Sequence, residues 1–294
     1  MIRIEPATPA SLPAILAMLP HTADHHAMHF AAMANDEIVG AAALQWQGLH
    51  SPPGFGFTLF VRPAWRCWGI GRAIIAAMAT AASGETAGLW SAARHVDGSP
   101  AAAFLTRLGF APAQRDLHFR MDGQRFLDHV DDIIARLRRL GRVPAAAATL
   151  RLRDAPFDQL AMLLANNFRQ QPATIAARLA LALHDPLAAG LDPDVSTVTL
   201  EAGTVVGALL VRMADDVGQI DCNVVAAHRR RSWVNALQLA ETTRRGLAVA
   251  SRIGFHSDSR MHDSINLATR SGGTLLFSEA RYWRAMDDQA AVAA

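Results

Sequence analysis

Lysine is missing from this sequence altogether, and all 28 basic side chains are arginine. A lysine nucleophile or Schiff base is thereby excluded. Only two cysteines occur, Cys67 and Cys222, far apart and without C-x-x-C spacing, which excludes a disulfide framework and a cysteine zinc site. Tyrosine occurs once, at Tyr282. No uninterrupted apolar run approaches the ~20 residues that a membrane-spanning helix needs, and no charged segment followed by an apolar stretch opens the chain. A soluble, cytoplasmic protein is expected. Charge of one sign is also lacking: the net charge of +2 is too small for a nucleic-acid footprint.

Apolar residues make up 51% of the 294 positions, ample for burial. A chain of this length exceeds what a single core usually supports, so two domains are expected.

The most informative string is Val61-Arg62-Pro63-Ala64-Trp65-Arg66-Cys67-Trp68-Gly69-Ile70-Gly71, which runs directly into the helical Arg72 to Met78. Pro63 stops a strand over Phe57 to Val61, and two glycines permit a tight turn and a close backbone approach to a ligand. The free N–H groups of a helix start carry about half a positive charge and suit a phosphate or pyrophosphate, and Arg66 and Arg72 add full charges. A turn that binds nothing is the bland alternative. A dinucleotide-binding G-x-G-x-x-G fits less well, because no third glycine stands at the right offset.

This string resembles motif A of the GNAT superfamily of acyl-CoA-dependent N-acetyltransferases, V-x-P-x-x-R-x-x-G-x-G-x-A. Ala101 to Phe110, a helix ending in Leu108-Gly109-Phe110, is similar to the family's second signature, and Gly88 to Arg94 supply the strand between the two. The segment from Ile2 to Met121 follows the family's order of strand, helices, hairpin with Asn35-Asp36 at its turn, strand, motif-A helix, strand, helix and two strands.

From Thr149 the plan begins again. Leu150 to Leu152 stand for the first strand, Phe157 to Asn166 and Pro172 to Leu183 for helices, and Glu201-Ala202-Gly203 for a second hairpin turn. Val224 to Leu237 lie where motif A belongs, with Arg229 on Arg66 but Ser232 and Val234 on Gly69 and Gly71. Both glycines are lost. Between the copies, Gln124 to Leu140 carry apolar residues near helical spacing, a linker helix. The expectation is an α/β protein of two tandem GNAT-like domains, each a mixed, mostly antiparallel twisted sheet flanked by helices: residues 1–122 with the intact motif, a linker at 123–147 and a degenerate copy at 148–294.

The resemblance implies acetyl-CoA as co-substrate and no metal. Its cofactor contacts would be the backbone of Leu59, Phe60 and Val61, the turn Arg66, Cys67, Trp68, Gly69, Ile70, Gly71 and Arg72, and Ser99 and Phe104 beside it. The acceptor would be an amine of a small molecule or peptide, with no nucleic acid or membrane as partner and a homodimer compatible with the pattern. The family's frequent tyrosine acid, five residues before the Gly-Phe phenylalanine, is Leu105 here, the strand before Pro63 lacks the frequent acidic base, and Gly98 stands where many members have asparagine. A thiol pKa near 8.5 lets the thiolate leave with little help. His95, at the end of the strand facing the cleft, is the candidate base or acceptor contact. A CoA-binding sensor or regulatory module without catalysis is the alternative, and a structural protein that binds no CoA is a third.

Three further groups carry open alternatives. His21, His25, His26 and His29 suit a metal, acceptor contacts or a solvated loop. Arg229 to Arg231 suit a relic phosphate site or a solvated helix start. His256, Asp258, Arg260, His262 and Asp263 suit a metal, an acceptor or proton transfer, or else capping and ion pairing.

Overall fold

The computed structural model describes residues 2–22, 27–47, 54–84, 86–186 and 190–286. The chain folds into two compact units, one of residues 1–115 with 278–294 and one of residues 116–277. No helix among the described residues is long and apolar enough to cross a membrane.

The first unit opens with strand β1 (Ile2–Pro6), helix α1 (Leu12–Met18), and strands β2 (Met28–Ala34), β3 (Glu37–Gln47) and β4 (Gly54–Val61). These strands form an antiparallel meander in the order β1-β2-β3-β4. Asn35 and Asp36 both adopt positive φ, 49° and 65°. Their short polar side chains tolerate that conformation, which matches the twist of a tight hairpin. Helix α2 (Ile70–Ala82) then crosses over to β5 (Gly88–Ser91), which pairs with β4 in parallel. A two-residue strand, β6 (His95–Val96), precedes helix α3 (Pro100–Arg107).

One face of this sheet packs Ile70, Ile74, Ile75 and Met78 of α2 and Leu105 of α3 against Phe30, Leu44 and Phe57. The other face buries Ile15 of α1 and Leu19 at its C-terminal cap on Ala31, Ala41 and Ala43. Small alanines in mid-strand let the helix come close.

The second unit repeats the order. Strands β8 (Ala147–Arg151), β9 (Thr197–Glu201), β10 (Thr204–Ala214) and β11 (Val217–Val225) pair antiparallel in sequence, and β11 pairs in parallel with β12 (Arg252–Asp258). Helix α4 (Gly123–Arg139), the expected linker, belongs to this unit's core with α7 (Trp233–Gly246) and α8 (His262–Arg270). On the other face lie α5 (Phe157–Phe168) and α6 (Pro172–His184).

The halves differ from a simple tandem in how each sheet is finished. A single strand, β7 (Ala111–Asp122), follows α3 where two were expected, and its residues 116–122 pair antiparallel with β12 of the second unit. The first unit is finished by the far end of the chain: in β13 (Thr274–Ala285), Trp283 pairs with Trp90 of β5 and Ala280 with His95 of β6. The two halves exchange their last strands. The compact units are therefore not the contiguous segments 1–122 and 148–294. The exchanged strand is buried on arrival, with Ala280 at 0% and Tyr282 at 4% exposure. Gly88 makes room for it, since a β-carbon there would stand 2.5 Å from the Trp283 ring.

Candidate active site

The site begins where β4 and β5 part. Their parallel register runs Phe55 to Leu89, Gly56 to Trp90 and Phe57 to Ser91, and a last hydrogen bond from the Ala92 N–H to the Phe57 carbonyl closes it at 2.9 Å. Residues 92–94 then leave β4, and the chain resumes as β6 against β13. Ser91 fixes the departure: its hydroxyl donates to the Ala93 carbonyl at 2.9 Å and accepts from the Tyr282 N–H at 2.8 Å. Beyond Phe57, β4 stays paired with β3, through Leu59 to Ala42, Phe60 to Ala41 and Val61 to Gly40. Alternation along a strand puts the Leu59 and Val61 amides on the same edge as the Phe57 carbonyl. No described strand covers that edge past Phe57, so a wedge-shaped opening presents backbone donors.

At the mouth of the wedge the chain turns. Pro63 to Trp65 form one 3₁₀ turn, Arg66 is extended, Cys67 takes φ 68°, and Gly69 takes φ 80° as the N-cap of α2 with no side-chain cap bond. The first helical bond runs from the Ala73 N–H to the Gly69 carbonyl at 3.0 Å. The preceding N–H groups of the helix start, at Ile70, Gly71 and Arg72, have no partner within the helix. Such donors, with the positive end of the helix dipole, suit an anion. Arg66 donates through Nε to the Val61 carbonyl at 3.1 Å and meets no carboxylate among the described residues.

The two glycines have different jobs. Gly69 supplies the left-handed φ, with open space where its β-carbon would be. Gly71 is not left-handed; a β-carbon there would stand 2.9 Å from Phe104 Cζ and 3.5 Å from Leu59 Cδ2. Its small size admits the Phe104 ring, which walls the wedge from the α3 side. Ser99 spends its hydroxyl as the N-cap of α3, accepting from the Ala102 N–H at 3.2 Å.

On the other side of β5 stands a cluster that no local stretch of sequence displays. His95 is half-buried, and burial pushes its imidazole below the usual histidine value while the Glu279 carboxylate pulls the other way. The Tyr282 ring lies 6.2 Å from the His95 ring, and its hydroxyl bonds to Thr106. Burial, then the Asp97 charge, pushes the Tyr282 phenol up. Asp97 also pairs with Arg115 at 3.1 Å and accepts from Ser278. The first half has no tyrosine in sequence, yet the first unit has one in space. Glu279, Ser278 and Tyr282 all arrive on the exchanged strand.

The equivalent turn of the second unit is closed. Arg229, the counterpart of Arg66, is clamped by Glu201 through two bonds of 2.7 Å, one from Nε and one from Nη2. A forked pair of this kind neutralises the guanidinium. Ser232 caps α7 with its own hydroxyl, and Trp233 and Val234 are buried at 3% and 0% exposure. Burial, then the Asp221 charge, pushes the Cys222 thiol up to about 12.

The remaining candidates separate. His29 Nε2 lies 2.9 Å from the Thr22 carbonyl, His21 lies in a 3₁₀ turn, and His25 and His26 fall outside the described residues. Arg260 forks onto Asp258 within its own loop, and His256 stacks beside His118, ring centres 5.5 Å apart. Among the described residues no three His, Cys, Asp or Glu side chains gather as metal ligands.

The splayed sheet and the uncapped glycine turn at its mouth both lie in the part of the chain that matches a family model. Residues 25–112 match the model of the acetyltransferase (GNAT) domain, and the chain has the tandem GNAT fold. It is similar to a tandem GNAT protein from the clavulanic acid biosynthesis pathway, at 16% identity and TM-score 0.54, covering 97% of this chain and 99% of that one. A probable N-acyltransferase from Enterococcus faecalis V583 gives TM-score 0.65 at 10% identity over 98% of this chain and 74% of that one. Eis1 from Mycobacterium abscessus gives 0.57 at 14% identity over 99% and 75%. No curated protein matches the chain by sequence.

Proposed function

We propose that the first unit binds acetyl-CoA and transfers its acetyl group to an amine of a small molecule or peptide. The observation that carries this is the open wedge beside Leu59 and Val61 ending on the uncapped Gly69 turn, set against the clamped and filled turn of the second unit. The pyrophosphate would lie on the N–H groups of residues 69–72, with Arg66 and Arg72 as counter-charges. The pantetheine would run along β4 as an added strand, and a backbone N–H there would hold the thioester oxygen as charge develops on it.

Transfer forms a bond from the amine nitrogen to the carbonyl carbon and breaks the carbon–sulfur bond. The proton lost by nitrogen goes to a base, and the thiolate leaves and takes a proton of its own. His95 suits the base. Partial burial keeps its imidazole neutral and able to accept near pH 7. Because thiols ionise near 8.5, departure of the thiolate needs little assistance from an acid.

The test is release of free thiol from acetyl-CoA across a panel of amines. Amine-dependent release by the native protein, abolished in Gly71→Glu, is expected. Binding without release would support the second reading, a CoA-responsive regulatory module, for which Leu105 at the family's tyrosine position speaks.

A further inference from the structure

Trp68 stands out on this molecule's surface. It is 68% exposed, the most of the large apolar side chains described, and it sits between two residues with left-handed backbone, Cys67 at φ 68° and Gly69 at φ 80°. Cysteine rarely adopts that conformation, and the local conformation costs of order 1 kcal/mol or more. Nothing in the packing of the first unit repays it: the turn throws the indole outward rather than into the core. Trp65, half-buried against the core of α2 and β4, meets it at 5.8 Å between ring centres and 57° between planes. A solvent-facing aromatic surface, backed by a second indole, therefore stands on the anion turn.

The geometry of the co-substrate gives that surface an occupant. This step rests on the proposal that the turn holds the pyrophosphate. A CoA pyrophosphate joins two arms: pantetheine on one phosphate, and adenosine on the other. With pantetheine drawn into the wedge, the adenosine has to leave the turn on its outer side, the side on which Trp68 lies. Adenine offers a flat π-face, and an indole stacks on a base without any hydrogen-bond readout.

We infer that Trp68 recognises the adenine of the acyl-carrying nucleotide, stacking the purine on its exposed indole face, with Trp65 as the backing that fixes its direction.

Calorimetry with three ligands tests this: CoA, 4′-phosphopantetheine, which lacks the nucleotide, and adenosine 3′,5′-bisphosphate, which lacks pantetheine. The proteins compared are the native chain, Trp68→Ala and Trp68→Phe, each with its melting temperature measured. One lost base–aromatic stack should weaken CoA and adenosine 3′,5′-bisphosphate roughly 5- to 100-fold in Trp68→Ala. Trp68→Phe should recover most of that loss, and 4′-phosphopantetheine should bind all three proteins alike. Unchanged CoA affinity in Trp68→Ala would overturn the assignment, as would an equal loss for 4′-phosphopantetheine, which would make Trp68 a shaper of the turn. Failure of the native chain to bind CoA at all would instead remove the site itself.

Discussion

The Phe104 ring occupies the space that a β-carbon on Gly71 would need, 2.9 Å from Cζ and 3.3 Å from Cε2. At the equivalent position the second unit has Val234, wholly buried in its own core. One residue in the first turn of each helix thus separates an open turn from a filled one.

This contact sets the cost of changing Gly71. Alanine in a helix gains up to about 1 kcal/mol over glycine, whereas overpacking costs about 1–3 kcal/mol. Gly71→Ala should destabilise by about 0–2 kcal/mol on balance, and the sign should reverse to net stabilisation when Phe104 is also cut to Leu. Denaturant unfolding of the four proteins of that cycle measures the coupling. Additive effects would mean that Phe104 does not limit residue 71.

The exchanged strand should be indispensable to the first unit. Ending the chain at Phe277 removes Ala280, Tyr282 and Trp283, the last with its ring 4.9 Å from Trp90. Because Trp90 is fully buried, losing the ring tilted against it leaves an apolar edge in water. The shortened chain should lose the melting transition of the first unit together with all acetyl-CoA binding while retaining folded structure from the second. A truncated protein that still binds acetyl-CoA would contradict the exchange.

His95 links pH to both stability and rate. Its folded-state pKa lies below the ordinary value, so the unfolded chain binds the proton more readily and stability falls as pH drops through about 6.5. His95→Gln should flatten that slope. Turnover should rise with pH through an inflection below 6.5 and show no fall near 8.5 to 10, with His95→Gln costing about 10²-fold at unchanged CoA affinity. A high-pH decline that disappears in Tyr282→Phe would make the tyrosine on the exchanged strand the acid, despite its bond to Thr106.

The two thiols should differ sharply. Cys222 is partly buried with its thiol pushed up to about 12, whereas Cys67 is exposed on the turn. Iodoacetamide at pH 8 should label Cys67 alone, and saturating CoA should slow that labelling. Equal labelling of both, or no protection by CoA, would place the ligand elsewhere.

The turn from Pro63 to Arg72 was legible because its signals are local: a proline stop, two glycines, two arginines and a helical period. So was the Asn35-Asp36 hairpin. The degenerate copy was legible as lost glycines, but its Glu201–Arg229 clamp was not, since the partners lie 28 residues apart. Strand exchange left no trace either. Alternation in β7 and β13 specifies which face is apolar, not which sheet receives the strand, so nothing in the sequence brings Tyr282 and Glu279 to the first unit. Ser99 could have been recognised as a helix cap from the Ser-Pro start of α3.

The central claim, that one acetyl-CoA binds per chain on the Gly69–Gly71 turn, is tested most directly by calorimetric titration of acetyl-CoA. Native protein, Gly71→Glu, Arg66→Glu and Arg229→Ala are compared, each first shown to melt cooperatively. One site per chain is predicted, kept in Arg229→Ala, weakened in Arg66→Glu and abolished in Gly71→Glu. Two sites per chain, or one that survives both Gly71→Glu and Arg66→Glu, would contradict the account.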